Sequence, residues 1–134
     1  MECRVAPLRE FLRADLESCG TGLCRNGSEM QDEFLAGSSR TPIAVIYDGI
    51  HPVAWAATHR WRGLQTIEGF TRETFRRRGL QRFAASGLLA AGILDPREPV
   101  AVFAPPCVKL TRSLGFAGVR LFQRLDGEWT EVPA

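Results

Sequence analysis

Leu80, Phe83, Ala84, Gly87, Leu88 and Ala91 fall at i, i+3, i+4, i+7, i+8 and i+11, the spacing of one face of an α-helix. They follow directly on Arg76-Arg77-Arg78-Gly79, and that basic stretch follows a run rich in β-formers, Leu64 to Thr71. A strand that passes through a basic, glycine-bearing loop into an amphipathic helix narrows the choice of fold. The helix must bury its apolar stripe on a sheet, which predicts an α/β domain. Its first turn leaves backbone N–H groups unpaired where the helix dipole favours negative charge, which predicts an anion site.

The rest of the chain fits that frame. Pro7 predicts a helix start, with Leu8, Phe11, Leu12 and Leu16 on one face and Gly20 and Gly22 as its stop. A short second helix is predicted from Glu29 to Leu35, closed by Gly37-Ser38-Ser39. Ile43 to Tyr47, the turn pair Asp48-Gly49 and Pro52 to Thr58 predict two paired strands. Arg62-Gly63 marks another turn. Leu64 to Thr71 predicts one further strand, with Gly69 as a bulge or a place of close backbone approach. After Asp95-Pro96 come a short buried strand, Val100 to Phe103, and a helix, Cys107 to Leu114, ended by Gly115. Val119 to Leu125, Asp126-Gly127 and Glu128 to Val132 close the chain as a hairpin. No repeat or linker divides the 134 residues, so a single domain is expected, with residues 1–41 as a helical segment and 42–134 as the sheet-bearing core.

A formal net charge of +2 is too balanced for a chain-wide nucleic-acid coat, so local clustering carries the electrostatics. No signal-like start and no apolar run of membrane-spanning length is present; a cytoplasmic protein with no membrane partner is the expectation. Cys3, Cys19, Cys24 and Cys107 are irregularly spaced, as are His51 and His59, which predicts free thiols and no metal.

At the arginine-rich loop, neither the P-loop pattern nor G-x-G-x-x-G is present, which argues against nucleoside triphosphates and dinucleotides. Gly79 allows a pyrophosphate close to the main chain, and Arg76, Arg77, Arg78 and Arg82 can neutralise it. Arg76-Arg77-Arg78-Gly79-Leu80-Gln81 resembles the pyrophosphate loop of the GNAT family of N-acetyltransferases, Arg/Gln-x-x-Gly-x-Gly/Ala, except at Gln81. Gly49 to Ala57 is similar to the strand pair that precedes it in that family, and Leu114-Gly115-Phe116 to its Leu-Gly-Phe helix exit. The resemblance covers about residues 42–125. It implies a mixed, mostly antiparallel central sheet with helices on both faces, and acetyl-coenzyme A as co-substrate for transfer to an amine. Its cleft would lie between splayed fourth and fifth strands, with Gly69, Phe70 and Thr71 offering main-chain groups to pantetheine and Arg76 to Arg82, with Gly79, Leu80 and Gln81, holding the pyrophosphate. Thr111 stands where the family usually has a tyrosine acid, and Ala104 where an asparagine is common.

For the base that takes the proton of the amine, the resemblance points to Glu68, directly or through water. His59 and His51 are alternatives, as the residue type that titrates nearest neutrality. Cys107 as an acyl-carrying nucleophile lacks a histidine nearby in sequence. Trp55, Trp61 and Phe70 are candidates for an acceptor pocket or for the core. Two other classes of function compete: a binding or regulatory module on the same fold, and a nucleic-acid binder using Arg72, Arg76, Arg77, Arg78 and Arg82, marked by steep salt dependence. The acceptor amine stays open among small molecules, proteins and modified nucleobases, and the C-terminal edge strand is a possible homodimer contact.

Overall fold

The computed structural model describes residues 1–19 and 42–134. The predicted helix from Glu29 to Leu35, and Cys24, lie outside the described residues. The chain opens with strand β1 (Glu2–Pro7), where the sequence reading placed the approach to a helix. Residues 2–5 alternate polar and apolar, and Cys3 and Val5 pack toward the main core, so the two-residue period of a strand prevails there. A 3-10 turn (Leu8–Glu10) then leads to α1 (Arg13–Ser18), a shorter helix beginning later than Pro7 suggests.

The following strands are β2 (Pro42–Asp48), β3 (His51–Ala57), β4 (Arg60–Trp61), β5 (Leu64–Thr66) and β6 (Glu68–Thr71). Helix α2 (Leu80–Ala90), strand β7 (Val100–Val102), helix α3 (Pro105–Ser113) and the hairpin β8 (Val119–Leu125) and β9 (Glu128–Val132) complete the order. The fold is α/β with mostly antiparallel pairing. Where one central sheet is expected, the strands form two, in the orders β1-β2-β3-β6 and β4-β5-β7-β8-β9. The parallel pairs are β5 with β7 and β7 with β8.

In the first sheet, Ala44, Ile46, Ala54 and Ala56 share a core cluster with Leu80, Ala84 and Leu88 of α2. The intervening Ile43, Val45, Trp55 and Ala57 cluster with Phe11 and Leu16 around α1. The period-two alternation of β2 and β3 thus serves two apolar layers, which explains why both strands are apolar almost throughout. The second sheet is curled. Trp61 on β4 and Trp129 on β9, at its opposite edges, have ring centroids 6.4 Å apart, and Phe103 and Phe122 fill the hollow in edge-to-face contact with Trp61. No helix among the described residues is long and apolar enough to cross a membrane.

Candidate functional site

The run Leu64 to Thr71 serves both sheets. Gln65 and Thr66 pair in parallel with Val100 and Ala101, and the N–H of Ile67 donates to Ala101 O at 3.3 Å. From Glu68 onward the same chain pairs instead with β3, so β6 and β7 part beyond Ile67 and an opening forms between them. The N–H of Arg72 donates to Val53 O, and the alternation of an antiparallel ladder then directs the main chain of Glu68 and Phe70 toward β3. Gly69 and Thr71 present their N–H and C=O groups to the opposite side, that of the opening. The main chain of Phe70 therefore serves the ladder with β3 and is not offered to the opening as the sequence suggests, and its ring packs with Trp55.

At the end of β6 the chain makes a 3-10 turn (Glu73–Phe75) and enters the basic loop. Arg77 takes φ 65° and Gly79 φ 73°, left-handed geometry that turns successive amides to one side. Gly79 caps α2 with no side-chain bond, and the first intrahelical donor is Phe83, to Gly79 O at 2.9 Å. The N–H groups of Leu80, Gln81 and Arg82 therefore have no helical acceptor, as at any helix start. Arg76, Arg77, Arg78 and Arg82 are exposed around them.

The arginines differ in what they do. Arg76 donates Nε to Thr71 O at 3.2 Å and lies over Phe70, and Arg78 lies over Phe75, so both are held at the loop by aromatic rings. Arg82 reaches Ser113 O at the end of α3. Arg72 turns inward, donating to Ser18 Oγ and Pro52 O, and ties α1 to β3. The five arginines considered for nucleic acid therefore do not form one patch. Gln81 folds back onto the strands: its Nε2 donates to Trp55 O and to Thr71 Oγ1, both at 3.0 Å. The side chain thus lies across β6 at Gly69.

On the other face of β6, that of Phe70, stands Glu68. Its carboxylate Oε2 lies 3.3 Å from Nδ1 of His59, with the two side chains 18% and 10% exposed. His59 reaches it through a two-residue turn: Arg62 (φ 50°) and Gly63 (φ 77°) close the β4–β5 hairpin and set Arg60 opposite Gln65, hence His59 opposite Thr66. Thr66 Oγ1, fully buried, is 3.2 Å from His59 Nδ1 and accepts the His59 N–H at the same distance. His59 Nε2 is buried and has no hydrogen-bond partner among the described residues. The structure thus joins Glu68 and His59, two of the sequence candidates. His51 is exposed at the far end of β3, paired with Asp48.

The remaining candidates are placed in the interior. Trp55 packs with Phe70 beside α1, and Trp61 belongs to the aromatic core of the second sheet. Burial pushes the Cys107 thiol up from its ordinary value and that of Cys19 up to about 11, which makes both poor nucleophiles. Ala104 precedes α3 in extended geometry. Thr111 is fully buried, so its hydroxyl cannot reach the opening, and Oγ1 has no hydrogen-bond partner among the described residues. Thr111→Val keeps the shape and removes the orphaned hydroxyl, so it is expected to stabilise the fold by about 1 kcal/mol, raising the thermal midpoint by roughly 4 °C. A lowered midpoint would mean that the hydroxyl has a partner such as a buried water.

No protein-family model matches the sequence, and its comparison with curated proteins yields no match.

Proposed function

We propose that the protein transfers an acetyl group from acetyl-coenzyme A to an amine. The observation that carries this reading is the strand 64–71 divided between two sheets, which opens a gap at β6 whose far end is a loop of left-handed residues, unpaired amides and arginines. A thioester ligand with a long amide-bearing arm and a pyrophosphate fits those two features in order. The outward groups of Gly69 and Thr71 suit the amides of the arm, although Thr71 O is shared with Arg76. The Arg76 to Arg82 segment suits the pyrophosphate. On this reading the two sheets are halves of one splayed sheet, with α1 and α2 on its opposite faces.

The chemistry then falls to Glu68 on the α1 face. An amine with an ordinary pKa of about 10 is mostly charged at neutral pH and must lose a proton before attack. Glu68 takes it, directly or through one water. The amine nitrogen bonds to the thioester carbon, the carbon–sulfur bond breaks, and the second proton of the nitrogen passes to the departing thiolate or to water, leaving a neutral amide and coenzyme A; thiols ionise at about 8.5, so no dedicated acid is required. An outward N–H of β6 can polarise the carbonyl oxygen.

The test is release of free coenzyme A thiol from acetyl-coenzyme A in the presence of primary amines. Glu68→Gln is expected to lower kcat by roughly a hundredfold while leaving binding of the thioester unchanged. Equal turnover in Glu68→Gln would remove Glu68 as the base. Binding of coenzyme A without turnover by the unaltered chain would favour the regulatory-module reading, which Gln81 lying across Gly69 also favours.

A further inference from the structure

We infer that His59 is a positioning residue for Glu68, acting through Nδ1–H. The inference rests on the transferase reading only for its catalytic consequence; the hydrogen bond itself does not. Thr66 Oγ1 has three nitrogen or oxygen neighbours within the β4–β5 hairpin: His59 N, His59 O and His59 Nδ1, each at 3.2 Å. The hydroxyl has one proton. Given to His59 O, which only accepts, it leaves Oγ1 as an acceptor toward Nδ1. The carboxylate of Glu68, 3.3 Å away, is also an acceptor when ionised. Two acceptors facing Nδ1 require that Nδ1 carry the proton, so the neutral ring has its lone pair on Nε2.

The other side of the ring agrees. Nε2 is buried and meets no acceptor among the described residues. An N–H placed there would be an unsatisfied buried donor, which disfavours the alternative tautomer. The order of exposure fits the division of labour: Glu68 reaches outward, His59 lies behind it at 10% exposure, and Thr66 is fully buried at the bottom. Glu68 is therefore the group that meets the amine, and His59 and Thr66 hold its carboxylate against rotation on an otherwise free strand edge. The arrangement is the familiar one of an imidazole fixed by the partners of one nitrogen, used here to orient the carboxylate.

The chain has two histidines, so the ring nitrogens of His59 can be assigned by nitrogen NMR against a His51→Gln reference. The expected spectrum shows Nδ1 protonated and Nε2 bare, and Glu68→Ala shifts the balance toward the other tautomer; protonation at Nε2 in the unaltered protein would overturn the inference. For catalysis, acetyl-coenzyme A is used with spermidine, an alanine-terminated peptide and a lysine peptide as probes. His59→Ala and His59→Gln are expected to lower kcat roughly ten- to a hundredfold with KM for acetyl-coenzyme A unchanged. His59→Asn, whose amide nitrogen can stand near the place of Nδ1, recovers most of it. A purely packing role predicts instead that glutamine, closer in size, rescues better than asparagine, and that result overturns positioning. Absence of coenzyme A binding and of turnover in the unaltered protein would overturn the transferase reading and with it the catalytic role, while the tautomer still reports the hydrogen bond.

Discussion

Gly69→Ala is expected to lower the stability of the protein by about 3 kcal/mol, or roughly 10 °C in thermal midpoint. A Cβ at this position would lie 2.5 Å from the main-chain oxygen of Trp55 and would collide with Gln81 Oε1. The glutamine can swing away, but Trp55 O belongs to the β3–β6 ladder and cannot retreat without opening it. The two obstacles are separable. In the double variant Gly69→Ala/Gln81→Ala most of the loss is expected to remain, because the backbone contact remains. Full recovery in the double variant would show that the side chain alone sets the requirement for glycine. Circular dichroism melts of the unaltered protein, Gly69→Ala, Gln81→Ala and the double variant decide it.

Acetyl-coenzyme A at about a hundred times its dissociation constant is expected to stabilise the native state by about 2.7 kcal/mol, roughly 10 °C. Arg76→Ala with Arg78→Ala is expected to abolish most of that shift, because these two side chains are held at the loop by Phe70 and Phe75 and present their charge there. Arg77 provides an internal control. Its φ of 65° is unfavourable for a residue with a Cβ by about 1 kcal/mol. Arg77→Gly removes that strain and one charge while adding freedom to the unfolded chain, so the ligand-free stability should change little, by about 0.5 kcal/mol in either direction. The ligand-induced shift should fall all the same. A midpoint of the unaltered protein that ignores acetyl-coenzyme A would leave the loop as a cationic surface and remove the transferase reading.

The strands 42–58 and the hairpin 119–132 are legible in the sequence because their turns carry Asp-Gly pairs and their β-formers run without interruption. The helix at Leu80 is legible because its apolar face repeats at helical spacing. β1 is not, because Pro7 competes as a helix start with an alternation only a few residues long. The division of Leu64 to Thr71 is hidden for another reason: composition reports β-formers, and which sheet each half joins depends on β7, some 35 residues later. Of the site, the basic loop is written in adjacent residues. The pairing of His59 with Glu68 is not, yet the Arg62-Gly63 turn held the signal, since a two-residue hairpin there places His59 opposite Thr66. The inward fate of Arg72 had no sequence signal at all, because it depends on Ser18 and Pro52 from distant segments.

The shared strand also orders assembly in time. All four strands of the first sheet, and helix α2, lie within the first 90 residues, so a chain emerging from its N-terminus can complete that half early. β5 is made in the same interval but finds its parallel neighbour only when Val100 to Val102 appears, and β7 in turn waits for β8. Until then the edge at Gln65 and Thr66 is unpaired and the aromatic hollow is open. The gap between β6 and β7 consequently takes shape late, and it does not exist in a chain that stops before β7.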